Sequence, residues 1–497
     1  MGTMKRILLM VMPLVACSVC HAEDITIRYK GATAKVEQKV KDSVQVAVDG
    51  AKVSVESLYK GHKLTLRLTG KSDDGQLVLK TAGKAKVKLD NLTLTSQEGA
   101  PLWLKNKKKV EVVASKGTRN TLTITACNDT ANHKAAAVWA KDKLLLSGKG
   151  VLDIVSTGDG CRGIKTKKDV TIEELTLNVT TSGNNLGEKP FGFGGGPGGF
   201  PPFGNDSIRM PDFGGGFPPF GNDSIRRPDF GGGFPPFGND SIRPGGFPGP
   251  DFGNDSTMQG GFGGKRKYVA STKGIASKGR ITINSGNVTV RTSTAGAEGI
   301  EGKKGVVFNG GSVDVLSPDD AVNANATIEF NGARVTARSL GNDAVDANPE
   351  GGFFMAFNPN AGSLEPAIII RGGTVYAWSQ VGPPEEGLDC DMAPIAIEGG
   401  TVFTVGGFIG DMPSVPTSET AKQPTVLLSG LDIVKDEPVG IYDASGKLLD
   451  TVIIPFSMRR SASLVSSPAF KLGGTYTVKT KGLEKTFTLN EPFTAVR

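Results

Sequence analysis

The chain has 497 residues, with 57 Lys+Arg against 50 Asp+Glu and a formal net charge of +7. Beyond the N-terminus no apolar run approaches the ~18 residues a membrane-spanning helix needs, which excludes a helical membrane protein. The positive charge divides unevenly: residues 23–186 carry 28 basic against 18 acidic side chains, and residues 268–497 carry 19 against 24. No basic-aromatic motif accompanies the scattered lysines, so nucleic acid is excluded as a partner.

Residues 1–22 read as an export signal: a positive head (Met1 to Arg6), an apolar stretch (Ile7 to Ala16) and a small residue at Ala22. Leu14-Val15-Ala16-Cys17 offers a competing and preferred cleavage, a lipobox in which Cys17 becomes the lipidated first residue. Acyl chains there would anchor the protein to a membrane surface. Cys127, Cys161 and Cys390 follow any cleavage site. A Cys127–Cys161 bridge is one reading and buried thiols the preferred one. No CxxC pair or His cluster supports a zinc site.

Residues 23–100 alternate apolar and polar side chains, as at Val44/Val46/Val48 and Leu64/Leu66/Leu68, and are expected to form an N-terminal β region that begins a solenoid. From residue 101 to 186, and again from 268 to 423, one short unit recurs. Its first part is Ile281/Ile283…Gly286…Val288/Val290, repeated as Val307…Gly310-Gly311…Val313/Val315 and Ile368/Ile370…Gly372-Gly373…Val375/Ala377. Its second part is a tetrapeptide: Ala137-Val138-Trp139-Ala140, Gly163-Ile164-Lys165-Thr166, Gly274-Ile275-Ala276-Ser277, Gly299-Ile300-Glu301-Gly302, Ala321-Val322-Asn323-Ala324, Ala344-Val345-Asp346-Ala347 and Gly387-Leu388-Asp389-Cys390. The residues at 275, 300, 322 and 345 are 25, 22 and 23 apart. Period-two alternation broken by glycine predicts an all-β fold, a parallel β-helix with three short strands per coil.

Residues 187–267 interrupt this pattern with 24 of the 68 glycines and 13 of the 29 prolines. Pro-Pro-Phe-Gly-Asn-Asp-Ser-Ile-Arg recurs with a period of 17, at 201–209, 218–226 and 235–243. Such a segment is expected to be a disordered insertion within one coil. Its Asp-Ser-apolar tripeptides resemble a bacterial O-glycosylation signal, which makes Ser207, Ser224, Ser241 and Ser256 candidate acceptors. From residue 424 to 497 the repeat stops and hairpin-like strands predict a C-terminal β cap.

Stacking the tetrapeptides aligns two columns of outward side chains. The residue before each unit reads Ala136, Arg162, Lys273, Glu298, Asp320, Asp343, Glu386, and the outward residue within it reads Trp139, Lys165, Ala276, Glu301, Asn323, Asp346, Asp389. Asp319, Asn342 and Glu385 add a third column, with Asp391 just beyond. Carboxylates on adjacent coils repel by about 3 kcal/mol at an effective dielectric near 20, so something must offset the clustering. Hard oxygen donors select calcium. The candidate ligands are Glu298, Glu301, Asp319, Asp320, Asn323, Asn342, Asp343, Asp346, Glu385, Glu386, Asp389 and Asp391.

The Gly-Gly strand unit, the Asp-Ala-Val tetrapeptides and Gly117-Thr118-Arg119-Asn120-Thr121-Leu122 resemble those of exported bacterial carbohydrate-binding proteins with a polysaccharide-lyase-like parallel β-helix. The resemblance implies a right-handed helix, several calcium ions, and binding of a cellulose-like or pectic polysaccharide. Asp319-Asp320-Ala321-Val322-Asn323 and Asn342-Asp343-Ala344-Val345-Asp346 are similar to the calcium motif of pectate lyases, each with one Asp replaced by Asn. A lyase is therefore the alternative function, and it requires a Lys or Arg base; the candidates are Lys273, Lys303 and Arg371. Binding without catalysis is the preferred reading, by a monomer at the bacterial cell surface or in the periplasm or medium. Trp103, Trp139, Tyr376 and Trp378 are candidate platforms for stacking on sugar rings. A structural adhesin is the remaining alternative.

Overall fold

A computed structural model describes residues 24–39, 44–58, 60, 63–127, 135–189, 267–349, 365–390, 393–408 and 413–496. Every element of regular secondary structure among them is a strand, an all-β fold, and among the described residues no helix is long and apolar enough to cross a membrane. The described residues other than Lys267 belong to one compact unit, from which Pro190–Lys267 separates. The signal segment, Cys17, the four candidate glycosylation serines and Asp391 lie outside the described residues.

Each repeat contributes three strands, and each strand pairs in parallel with its counterpart in the next repeat. The short strands Ile275–Ser277, Ile300–Gly302, Val322–Ala324 and Val345–Ala347 are consecutive neighbours, in register Ile275↔Ile300↔Val322↔Val345. The second set runs Ile281–Ile283, Val306–Phe308, Ile328–Phe330, Ile368–Ile370, and the third Asn287–Thr292, Ser312–Ser317, Arg334–Ser339, Thr374–Ser379. The first set lies in an 11-stranded sheet and the other two in a 23-stranded sheet, and neither closes into a barrel.

Period-two alternation decides what is inside. Ile283, Phe308, Phe330, Ile370 and Ile397 stack in register and are fully buried. The Phe308 and Phe330 rings stack at 5.0 Å between centroids. The bend between the second and third strands needs glycine. Gly311 has φ +82°, and a Cβ there would stand 2.4 Å from the Gly286 carbonyl oxygen of the preceding repeat.

The register runs unbroken across the Gly/Phe/Pro segment. Arg162–Thr166 pairs directly with Ile275–Ser277 (Ile164↔Ile275), and Thr176–Thr181 with Asn287–Thr292. At the N-terminal end Ile25–Lys30 pairs antiparallel with Thr33–Gln38, and Val44–Asp49 with Lys52–Ser57, before parallel pairing takes over. At the other end Met458–Ser466 crosses Thr401–Val405 antiparallel and pairs with Thr425–Ile433, while Pro438–Asp443, Leu448–Ile453, Thr475–Thr480 and Leu483–Thr488 form a four-stranded antiparallel sheet. Exposed parallel edges are pairing hazards, and these antiparallel elements occupy both ends of the stack.

Candidate functional site

The 11-stranded sheet carries both columns of outward side chains. Its register places Trp103, Trp139, Lys165, Ala276, Glu301, Asn323, Asp346 and Asp389 on successive strands in one line. Strand spacing of about 4.8 Å makes neighbours along this line close enough to touch.

At one end the acids converge. One carboxylate oxygen from each of Asp320, Asp343 and Asp346 lies within 4.8 Å of the others, and all three side chains are buried. Asn323 Nδ2 donates to Asp320 Oδ2 (2.8 Å) and to Asp346 Oδ2 (3.0 Å), which holds two of the three in place. The Glu386 amide donates to Asp343 Oδ1 at 2.5 Å. Glu386 accepts from the Ser414 amide (3.0 Å), and Ser414 Oγ donates to Asp389 Oδ1 (3.0 Å). Asn342 Nδ2 donates to Asp319 Oδ1 at 2.7 Å, in a tier beside the triad. Burial, reinforced by the charges of Asp389, Asp320 and Asp346, pushes the Asp343 carboxyl well above its ordinary range. Burial and then the neighbouring Asp389 do the same to Glu386. A set of buried carboxylates this close suits a divalent cation with oxygen coordination, since a cation replaces mutual repulsion by attraction.

Glu298 and Glu301, expected among the metal ligands, are instead committed to an ion pair. Lys273 Nζ lies 2.9 Å from Glu298 Oε2 and 2.8 Å from Glu301 Oε1, and Lys303 joins Glu301 from the rim. Burial opposes all three charges, but Lys273 and Lys303 hold the Glu301 carboxyl down at about 2, and the two glutamates raise Lys273. The expected catalytic candidates are therefore occupied. Lys273 is clamped between carboxylates, Lys303 also donates to Asn325 Oδ1, and Arg371 pairs with Glu329 on the other sheet.

The four aromatic candidates separate into two groups. Tyr376 and Trp378 do point outward from their strand, but they stack on each other at 5.7 Å and are buried beneath the C-terminal region with Phe403, Phe456 and Phe487. They offer no face to a sugar. Trp103 and Trp139 are register neighbours on the acidic sheet, packed edge to face at 6.4 Å, with Lys105 over the Trp103 ring and Lys167 near Trp139. Trp139 is buried and Trp103 partly exposed.

Between the tryptophans and the ion pair lie Arg162 and Lys165, two buried cations that the column reading places in the line without giving them a task. Burial, followed by the charges of Arg162 and Lys278, depresses the Lys165 ammonium to about 6. The described cysteines form no disulfide, so the Cys127–Cys161 bridge is not made; Cys161 and Cys390 are buried and the Cys127 and Cys161 thiols hydrogen-bond each other.

A family model described as carbohydrate-binding domain-containing protein matches residues 49–189 and 257–344, which include the tryptophan pair, the two buried cations, the Lys273 ion pair, and Asp320 and Asp343. The match supports a carbohydrate-binding protein whose partner is a polysaccharide. No curated protein and no solved structure matches the chain.

Proposed function

We propose that the protein is an exported, calcium-dependent polysaccharide-binding protein of the bacterial cell surface, whose repeats wind as a right-handed parallel β-helix with three strands per coil. The convergence of Asp320, Asp343 and Asp346 on one point carries the calcium reading. Calcium accepts six to eight oxygen donors with loose geometry, and the three carboxylates with the Asn323 amide would supply its protein ligands. An amide flip would turn Asn323 Oδ1 toward the ion, in place of the Nδ2 that bridges the two aspartates without it. Bound there, calcium would supply a positive centre for sugar hydroxyls or uronate carboxylates. The export signal and the lipobox at Cys17 support the surface location.

Elimination chemistry would need a basic side chain within hydrogen-bond reach of a substrate held by the metal. Lys165 is the one lysine in the column line whose ammonium is strongly depressed, and it stands three tiers from Asn323, about 14 Å at ordinary strand spacing. That separation favours binding over catalysis. The test is retention on a panel of insoluble cellulosic and pectic polysaccharides with calcium and with EDTA. Retention that calcium does not alter would overturn the metal-dependent reading, and unsaturated uronate products in the supernatant would reinstate the lyase.

A further inference from the structure

The acidic triad takes up one end of the column line and leaves the cations near its middle unexplained. Arg162 and Lys165 sit on the strand Arg162–Thr166, and the residue beside Lys165 on the next strand is Ala276. A methyl group there, flanked by long side chains, leaves a depression. The result is a cleft of about 500 Å³ whose charged lining is Arg162, Lys165, Lys273, Lys278 and Lys303 with one acid, Glu301, which is held by Lys273 and Lys303. A volume of this size suits a sugar unit better than a lone ion.

Not all of the basic side chains in the cleft are taken up in ion pairs. Lys273 and Lys303 have their glutamates, but Lys165, only 8% exposed, makes no ion pair among the described residues. Arg162 is 9% exposed; its Nη2 donates to Ser271 Oγ at 3.2 Å, and its buried Nε finds no acceptor. A buried donor without an acceptor and a buried lysine amine outside any ion pair both oppose folding, and such groups persist where a ligand supplies the missing partner. The planar fork of a guanidinium matches the two oxygens of a carboxylate or a sulfate.

We propose that this cleft is an anion subsite for an acidic polysaccharide, in which Arg162 and Lys165 grip a carboxylate or sulfate group borne by the glycan and Lys278 stands at the rim. The proposal rests on the polysaccharide-binding reading and adds the charge of the ligand. Lys165 and Asp346 are four tiers apart along the same line, about 19 Å at ordinary strand spacing, so one extended chain could cross both sites.

The experiment uses the full chain in EDTA, which removes the metal route, and measures affinity for polygalacturonate, a sulfated glucan and a neutral β-glucan. The wild type is expected to hold at least one acidic glycan. Lys278→Glu, at an exposed position whose side chain makes no ion pair among the described residues, should weaken that binding by about tenfold, a change of ~1.4 kcal/mol. Lys165→Met should weaken it similarly and remove its pH dependence. In the wild type, acidic-glycan binding should strengthen from pH 8 to pH 6 as Lys165 takes up its proton. The charged groups facing it are Arg162, Lys278, Lys273 and Glu301. Preference for polygalacturonate over the sulfated glucan identifies a carboxylate subsite, and the reverse a sulfate subsite. Acidic-glycan binding unaltered in both variants overturns the subsite and leaves polysaccharide binding standing. Retention of the neutral glucan alone also overturns it. A protein that holds none of the three glycans, with or without calcium, overturns both readings together.

Discussion

Lys165→Met should make the protein more stable, and the size of the gain follows from the depressed ammonium. Its folded-state pKa of about 6 stands against 10.5 for a free lysine. At pH 7 folding must strip the proton from a group that would otherwise keep it, which costs 1.36 kcal/mol for each of the roughly 3.5 units between 10.5 and 7, or about 5 kcal/mol. Relaxation of a long side chain toward solvent makes this a ceiling, and a gain of about 2–5 kcal/mol is expected. Methionine keeps the unbranched shape and is shorter by one heavy atom, so little cavity offsets the gain. The sign fixes the pH dependence. Between pH 6 and 10.5 the unfolded chain carries a proton that the folded chain lacks, so wild-type stability rises with pH through this window. The gap between variant and wild type should accordingly be widest below pH 6, where its ceiling is about 6 kcal/mol, and should close by pH 10.5. Urea unfolding of both proteins, followed by circular dichroism at pH 6, 8 and 10, reads it directly. A variant that is no more stable, or a gap independent of pH, would refute the reasoning, because Lys165 would then keep its proton on an acceptor.

Calcium above its Kd should raise the thermal midpoint with the logarithm of its concentration, with about 2.7 kcal/mol of stabilisation at one hundred times Kd, and Asp343→Asn should lose most of that shift in differential scanning fluorimetry. Lys273→Met should destabilise the protein by about 3–5 kcal/mol in urea titration, since it leaves Glu298 and Glu301 buried without their shared cation. Gly311→Ala should cost at least about 1 kcal/mol and lower the thermal midpoint, as its methyl would meet the Gly286 carbonyl and its backbone would stay at φ +82°.

The repeat was the most legible part of the sequence because register in a stacked sheet is inherited from the period. Ile275, Ile300, Val322 and Val345 recur at nearly constant spacing and are register neighbours. Once they align, Asp320, Asp343 and Asp346 must converge. The interruption at residues 187–267 did not hide this, since Ile164 and Ile275 lie side by side across it. What the period cannot supply is the direction in which a long side chain leans. Lys273 reaches from its own tier to Glu298 and Glu301, so two acids that belong to the column by position are absent from the acidic cluster in chemistry. Nor does strand parity say what covers an outward face. Tyr376 and Trp378 are outward by alternation, and the Phe456 ring that packs edge-on against Trp378 comes 78 residues later and outside the repeat.

The order of charges along the line argues for ligands rather than for stability. Were these residues present to stabilise the stack, opposite charges would occupy neighbouring tiers, as they do at Lys273, Glu298 and Glu301, because adjacent opposite charges attract and adjacent like charges repel. On either side of that ion pair the chain does the reverse. Arg162 and Lys165 stand together on one strand, and Asp320, Asp343, Asp346, Glu386 and Asp389 crowd into three consecutive tiers. The Lys273 cluster, close to neutral with Lys303, stands between the two ends and keeps the cations from pairing with the acids. The cost of that segregation is visible at each end, as a depressed lysine in one and raised carboxyls in the other. Under the proposed reading, opposite ligands would relieve opposite ends: a divalent cation at the acids and an anionic sugar group at the basic side chains. A polysaccharide carrying acidic groups, bridged by calcium at one end of the line and held directly by Arg162 and Lys165 at the other, would satisfy both along one track.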